Sequence, residues 1–161
     1  MTPTNTVTAR VGPAAIPADT RSLCSLPAID YGDDFTLTTA GQATPEAWAR
    51  AALGDVPNWG ERCVWRGVLR LRLSRKATTD TVAGWPVTGR GDGWIRLETA
   101  SWFLGATVIV RTATGQVSLT TLVHYRQFMG RLVWPPISAL HRRLVPRLLH
   151  LGQARLRAAH S

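Results

Sequence analysis

Lysine is almost missing from this chain: Lys76 is the only one in 161 residues, so nearly all of the positive charge is arginine. Acidic residues stop at Glu98, whereas Arg111, Arg126, Arg131, Arg142, Arg143, Arg147, Arg155 and Arg157 all follow it. With a net charge of +9, the C-terminal part is a source of positive field. A high-GC genome produces the same preference for arginine, so the bias alone does not select guanidinium chemistry.

Cysteine is equally scarce. Cys24 and Cys63 are too few and too far apart for a disulfide framework or a zinc site, and a reducing cytoplasm is the expected compartment. No run approaches the roughly 18 apolar residues needed to span a bilayer. The N-terminus lacks the basic start and apolar core of a secretory signal, so no transmembrane segment or export is expected. Walker loop, Rossmann glycine fingerprint, nucleophile elbow and His-Glu metal helix are all lacking. His141, His150 and His160 are nine or ten residues apart, a spacing without metal geometry. No metal and no cofactor are therefore expected.

What is present suffices for one core. Apolar residues make up 45% of the chain and include seven tryptophans, enough to offset the ordering entropy of one domain. Residues 1–28 carry neither helical nor alternating apolar pattern and read as a flexible leader; residues 29–161 read as a single domain. Phe35 and Leu37 alternate with Thr36 and Thr38, which predicts a first strand over 34–39. Thr44 as cap, Pro45 in the first turn and Glu46 at the positive end of the dipole predict a helix to Leu53, stopped by Gly54 and Pro57. A second helix is predicted from Asn58, with Val64, Val68 and Leu71 on one face, although Leu69, Leu71 and Leu73 alternate with arginines as a strand would.

From Val82 onward the pattern is β: Gly84–Arg90, Trp94–Phe103, Thr107–Thr112 and Val117–Arg126, joined by glycine turns too short for anything but antiparallel pairing. The run Gly89-Arg90-Gly91-Asp92-Gly93 is read as a hairpin turn. The chain ends in a long helix predicted to start at Pro135-Pro136. Its stripe of Ile137, Leu140, Leu144, Leu148 and Leu151 is expected on the sheet, with Arg142, Arg143 and Arg147 forming a basic surface opposite.

The fold class is thus α+β, an antiparallel sheet with two short helices after the first strand and one long C-terminal helix. That is the element order of the helix-grip superfamily of polyketide cyclases, START domains and plant allergens (SRPBCC). The chain resembles a group of uncharacterised small bacterial proteins placed beside that superfamily. The likeness rests on Asp30-Tyr31 and Asp34-Phe35, on Pro45 to Arg50, on Leu97 to Trp102, on Leu119 to Tyr125, and on Val133 to Ile137 with Leu140 to Arg143. It covers about residues 29–150, and the group has no assigned reaction. The resemblance implies an apolar small molecule or lipid held between sheet and long helix.

The candidate ligand contacts are Trp85, Glu98, Trp102 and His124. Glu98 is the last acid and lies mid-strand between Trp94 and Trp102, where a carboxyl is either paired with arginine or perturbed; an ion pair with Arg96 or Arg111 is the simpler reading. His124 is its candidate acid–base partner, against a plainly solvated histidine. Catalytic residues are not identifiable, and an aromatase- or cyclase-like enzyme is the less favoured reading. A second class of function is an interaction module whose basic helix meets an anionic membrane, nucleic acid or acidic protein through weak electrostatic binding.

Overall fold

A computed structural model describes residues 5–54, 67, 69–73 and 79–161. In chain order the elements are β1 (Val7–Val11), a 3-10 turn (Pro13–Ala15), α1 (Ala18–Arg21), β2 (Tyr31–Thr38), α2 (Pro45–Leu53), β3 (Thr81–Val82), β4 (Trp85–Gly91), β5 (Trp94–Ala100), β6 (Leu104–Ala113), β7 (Gln116–Tyr125) and α3 (Phe128–Ala159). Among the described residues the sheet has seven strands in the order β1-β2-β7-β6-β5-β4-β3, every pair antiparallel. With the long helix laid on one face, this is a helix-grip-like α+β arrangement. The meander follows from its turns: Asp92-Gly93 and Thr114-Gly115 each place a glycine at positive φ, 73° and 79°, where the hairpin needs it.

Helix α2 forms as its caps dictate, with the Thr44 side chain accepting from Ala47 N at 3.1 Å and Trp48, Ala49 and Ala52 buried. The second helix predicted from Asn58, with Val64 and Val68, lies outside the described residues. Leu69 and Leu71 near its predicted end are buried.

Strand alternation divides the sheet into two faces. The inner face carries Phe35, Leu37, Leu97, Val110, Leu119 and Val123, all buried in the main core under α2 and α3. The outer face carries Ile109 and Leu122, buried under Ile16 with Leu23, Leu26 and Ile29 packed alongside. The segment expected to be a leader without regular structure therefore carries β1, the 3-10 turn and α1. Its apolar pattern is too sparse to show a strand, because β1 is specified by backbone bonds to the free edge of β2, Val7 to Val11 facing Leu37 to Asp33.

Two expectations for the long helix are corrected. It begins at Phe128, well before Pro135-Pro136, and holds both prolines and Pro146 inside. Pro135 and Pro136 are exposed, so the carbonyls deprived of a helical donor lie on the wet side. Most of the stripe does not face the sheet: Ile137 packs against the core and Leu148 is half-buried, but Leu140, Leu144 and Leu151 are 48%, 39% and 43% exposed. The buried residues are Gly130, Trp134, Ser138, Val145, Leu149, Gly152 and Gln153. Small residues decide the rotation. A Cβ on Gly152 would lie 3.0 Å from Ala52 N, and one on Gly130 would lie 2.8 Å from Phe103 O, so α3 presents the face that lets backbones approach.

Candidate functional site

Between β2, β7 and the first half of α3 the core contains a group of polar side chains. Tyr31 and Asp33 alternate with glycine along β2, on the same face as Phe35 and Leu37. Asp33 is fully buried. The Tyr31 hydroxyl donates to its Oδ2, and His141 Nε2 lies 3.1 Å from the same oxygen, close enough for an ion pair though not aligned as a hydrogen bond. Thr121 stands opposite Asp33 across the β2–β7 ladder. Trp134 closes the group from the helix, its ring 5.3 Å from Tyr31 and 5.6 Å from His141.

Among the described residues, three buried atoms of this group have no hydrogen-bond partner: Asp33 Oδ1, Thr121 Oγ1 and Trp134 Nε1. A buried polar atom left unpaired costs about 1–3 kcal/mol, so three at one place need an explanation. Burial first, and then the Asp33 carboxylate, hold the Tyr31 hydroxyl above its ordinary pKa, with Arg142 partly opposing them. Tyr31 therefore stays protonated and remains a donor. Chemically the group offers a carboxylate acceptor, an indole donor and a hydroxyl able to do either, with an imidazole at its rim. The His141 side chain is 22% exposed and connects the cluster to solvent.

The residues picked out by sequence do not converge on this place. Trp85 is buried in the main core. Glu98 is on the outer face, ion-paired to Arg96 at 2.7 Å and accepting from Ser25. Arg111, the other partner considered for it, pairs with Asp19 at 2.9 Å instead. His124 is on the outer face too, with Nδ1 2.9 Å from Asp30 Oδ2, so Glu98 and His124 are separately engaged. Trp102 is 56% exposed and stacks edge-on against Phe103. Arg142 turns inward, half-buried, and donates to Ser138 at 3.3 Å, while Arg143 and Arg147 are exposed. Sequence reasoning passed over Asp33 and His141. Alternation in Tyr-Gly-Asp-Asp-Phe-Thr-Leu held the signal, since it sets an acid on the same face as two core residues.

Two open clefts lie elsewhere. One of about 200 Å³, lined by Ala43, Trp48, Gln153, Leu156, Arg157 and His160, is at the C-terminal end of α3. Another of about 310 Å³ lies on the outer face between Arg10, Asp19, Asp34, Arg111 and Ser118. Among the described residues no group of three or more His, Cys, Asp or Glu is arranged to hold a metal ion. Nor is any described helix long and apolar enough to cross a membrane.

No family model matches the chain, and no curated protein matches it. Among solved structures it is similar to a conserved protein of unknown function, EF2215 from Enterococcus faecalis, at 14% identity and a TM-score of 0.33 over 76% of this chain and 70% of that one. It is also similar to CalU16 from Micromonospora echinospora, at 9% identity and a TM-score of 0.30 over 98% and 96% of the two chains. Likenesses of this size assign neither a family nor a function.

Proposed function

We propose that the protein is a binding protein of the helix-grip kind, taking a small, largely apolar molecule that carries a hydroxyl or similar neutral polar group between the sheet and α3. The observation that carries this reading is the set of unpartnered buried atoms, Asp33 Oδ1, Thr121 Oγ1 and Trp134 Nε1. A hydroxyl donates to a carboxylate and accepts from an indole, so its chemistry matches both kinds of atom. Apolar contacts for the rest of the molecule would come from Phe35, Phe103, Leu119, Val123 and Trp134, which are buried together in the main core, so binding must open that packing. Polar anchoring thus falls to Asp33 and its neighbours. Glu98, held by Arg96 and Ser25, and His124, whose Nδ1 meets Asp30, lie on the other face.

Titration of intrinsic tryptophan fluorescence with paired ligands, long-chain alcohols and hydroxylated aromatics against the same skeletons without the hydroxyl, tests the reading. The hydroxylated member of a pair is expected to bind at least about tenfold more tightly, because its absence leaves buried groups unpaired. Asp33→Asn should erase that preference and Glu98→Gln should keep it. Equal affinity within every pair, or no response to any compound, would count against the proposal.

A further inference from the structure

The outward face of α3 presents a surface that the binding reading does not use. Met129, Leu132, Leu140, Leu144 and Leu151 are 41%, 56%, 48%, 39% and 43% exposed. At 100° per residue they fall on the side of the helix turned away from Trp134, Val145 and Leu149, and they run along it for about 33 Å at 1.5 Å per residue. Arg143 and Arg147, both exposed, stand in the same row. The whole helix, Phe128–Ala159, contains six arginines and no Asp or Glu. Exposed large apolar residues in one contiguous row mark an interaction surface, and a helix whose leucine-rich face is turned away from its own core is an unusual place to find one.

We propose that this face of α3 docks on an anionic lipid bilayer, lying in the interface with its leucines in the acyl boundary and its arginines at the phosphates. Charge and apolarity together select this partner. Arginine stems lie along apolar surface while the guanidinium reaches a phosphate, so leucine and arginine intermixed on one face suit a headgroup region. A nucleic acid would use the guanidiniums but gain little from a row of leucines, because its contacts are mostly to phosphate and sugar. A second copy of the chain would bury the leucines but bring the exposed arginines of two equivalent faces together with no acid on either helix. No described helix is apolar enough to cross a membrane, so the mode is adsorption rather than insertion.

Co-sedimentation of the full chain with vesicles of phosphatidylcholine, with and without phosphatidylglycerol, tests this. Binding is expected to vesicles containing phosphatidylglycerol. The double variant Arg143→Gln with Arg147→Gln should weaken it by at least about tenfold, as expected for two cations near a charged surface. The triple variant Leu140→Gln, Leu144→Gln and Leu151→Gln should weaken it by a comparable or larger factor. These positions are exposed, and unchanged thermal melts will show that the variants fold. Asp33→Asn should sediment as the unaltered chain does, which separates this proposal from the ligand-binding one. Vesicle binding that survives the leucine changes, binding to duplex DNA in preference to vesicles, or a stable dimer that fails to bind vesicles and is dissociated by the leucine changes would each overturn it.

Discussion

Asp33 and Asp34 are neighbours in sequence and point to opposite faces of the sheet, and their fates differ. On the outer face, Asp34 accepts from Thr120 at 2.6 Å and from Thr36 at 3.3 Å. Asp30 and Glu98, the other carboxylates there near the middle strands, are likewise engaged by His124 and Tyr125 N, and by Arg96 and Ser25. On the inner face Asp33 is just as buried, yet one of its oxygens has no partner among the described residues. The outer face is built as a structural seam: short apolar contacts under the N-terminal segment, with its acids engaged. The inner face combines the larger apolar core with a polar cluster that is only partly paired, and stability alone does not favour keeping such a group.

The largest test of this contrast is in the inner core. Leu149→Ala should cost about 2–5 kcal/mol, since Leu149 is 1% exposed within the main cluster. Leu144→Ala, on the outward face of the same helix, should cost under about 1 kcal/mol. Urea melts of both variants check this, and similar losses would mean that the assigned buried face of α3 is wrong.

For the outer face, Ile16→Ala should cost about 2 kcal/mol if the N-terminal segment is a permanent cover. A negligible loss, together with fast amide exchange over Val7–Val11, would show that the segment detaches readily. The two aspartates then give a smaller and more pointed comparison. Asp34→Asn should cost about 1–3 kcal/mol by weakening a charge-assisted bond that is buried. Asp33→Asn should be neutral or slightly stabilising, because it removes a buried charge whose second oxygen is unpaired, and calorimetry on the pair would break the comparison if the order were reversed.

At the periphery, burial raises the Glu46 carboxyl but hydrogen bonds from Arg50 and Arg90 outweigh it, leaving its pKa below the usual value. A carboxyl lowered on folding stabilises the native state above its unfolded pKa, and that contribution is lost as pH falls through the folded value. Glu46→Gln should therefore cost under about 0.5 kcal/mol at neutral pH, given the exposure of the pair, and nothing in strong acid. Melts at pH 7 and pH 2 measure the difference.

Local chemistry determined much of this protein from sequence alone. Thr44-Pro45-Glu46 specifies the start of α2, Asp92-Gly93 and Thr114-Gly115 specify hairpins, and alternation places the strands from Trp85 to Tyr125, because caps, turns and pleats act over a few residues. Glu98 was legible as a partner for Arg96 for the same reason. What only the tertiary structure decided depends on which surfaces meet. Leucine periodicity marks an amphipathic helix but cannot tell that Gly130 and Gly152 let the opposite side approach the sheet and α2 more closely, leaving Leu140, Leu144 and Leu151 outside. Strand β1 needed the edge of β2 to exist. The cluster of Asp33, Thr121, Trp134 and His141 joins residues up to 108 positions apart along the chain, brought together by the sheet order and the rotation of one helix, neither of which is written in any local stretch of sequence.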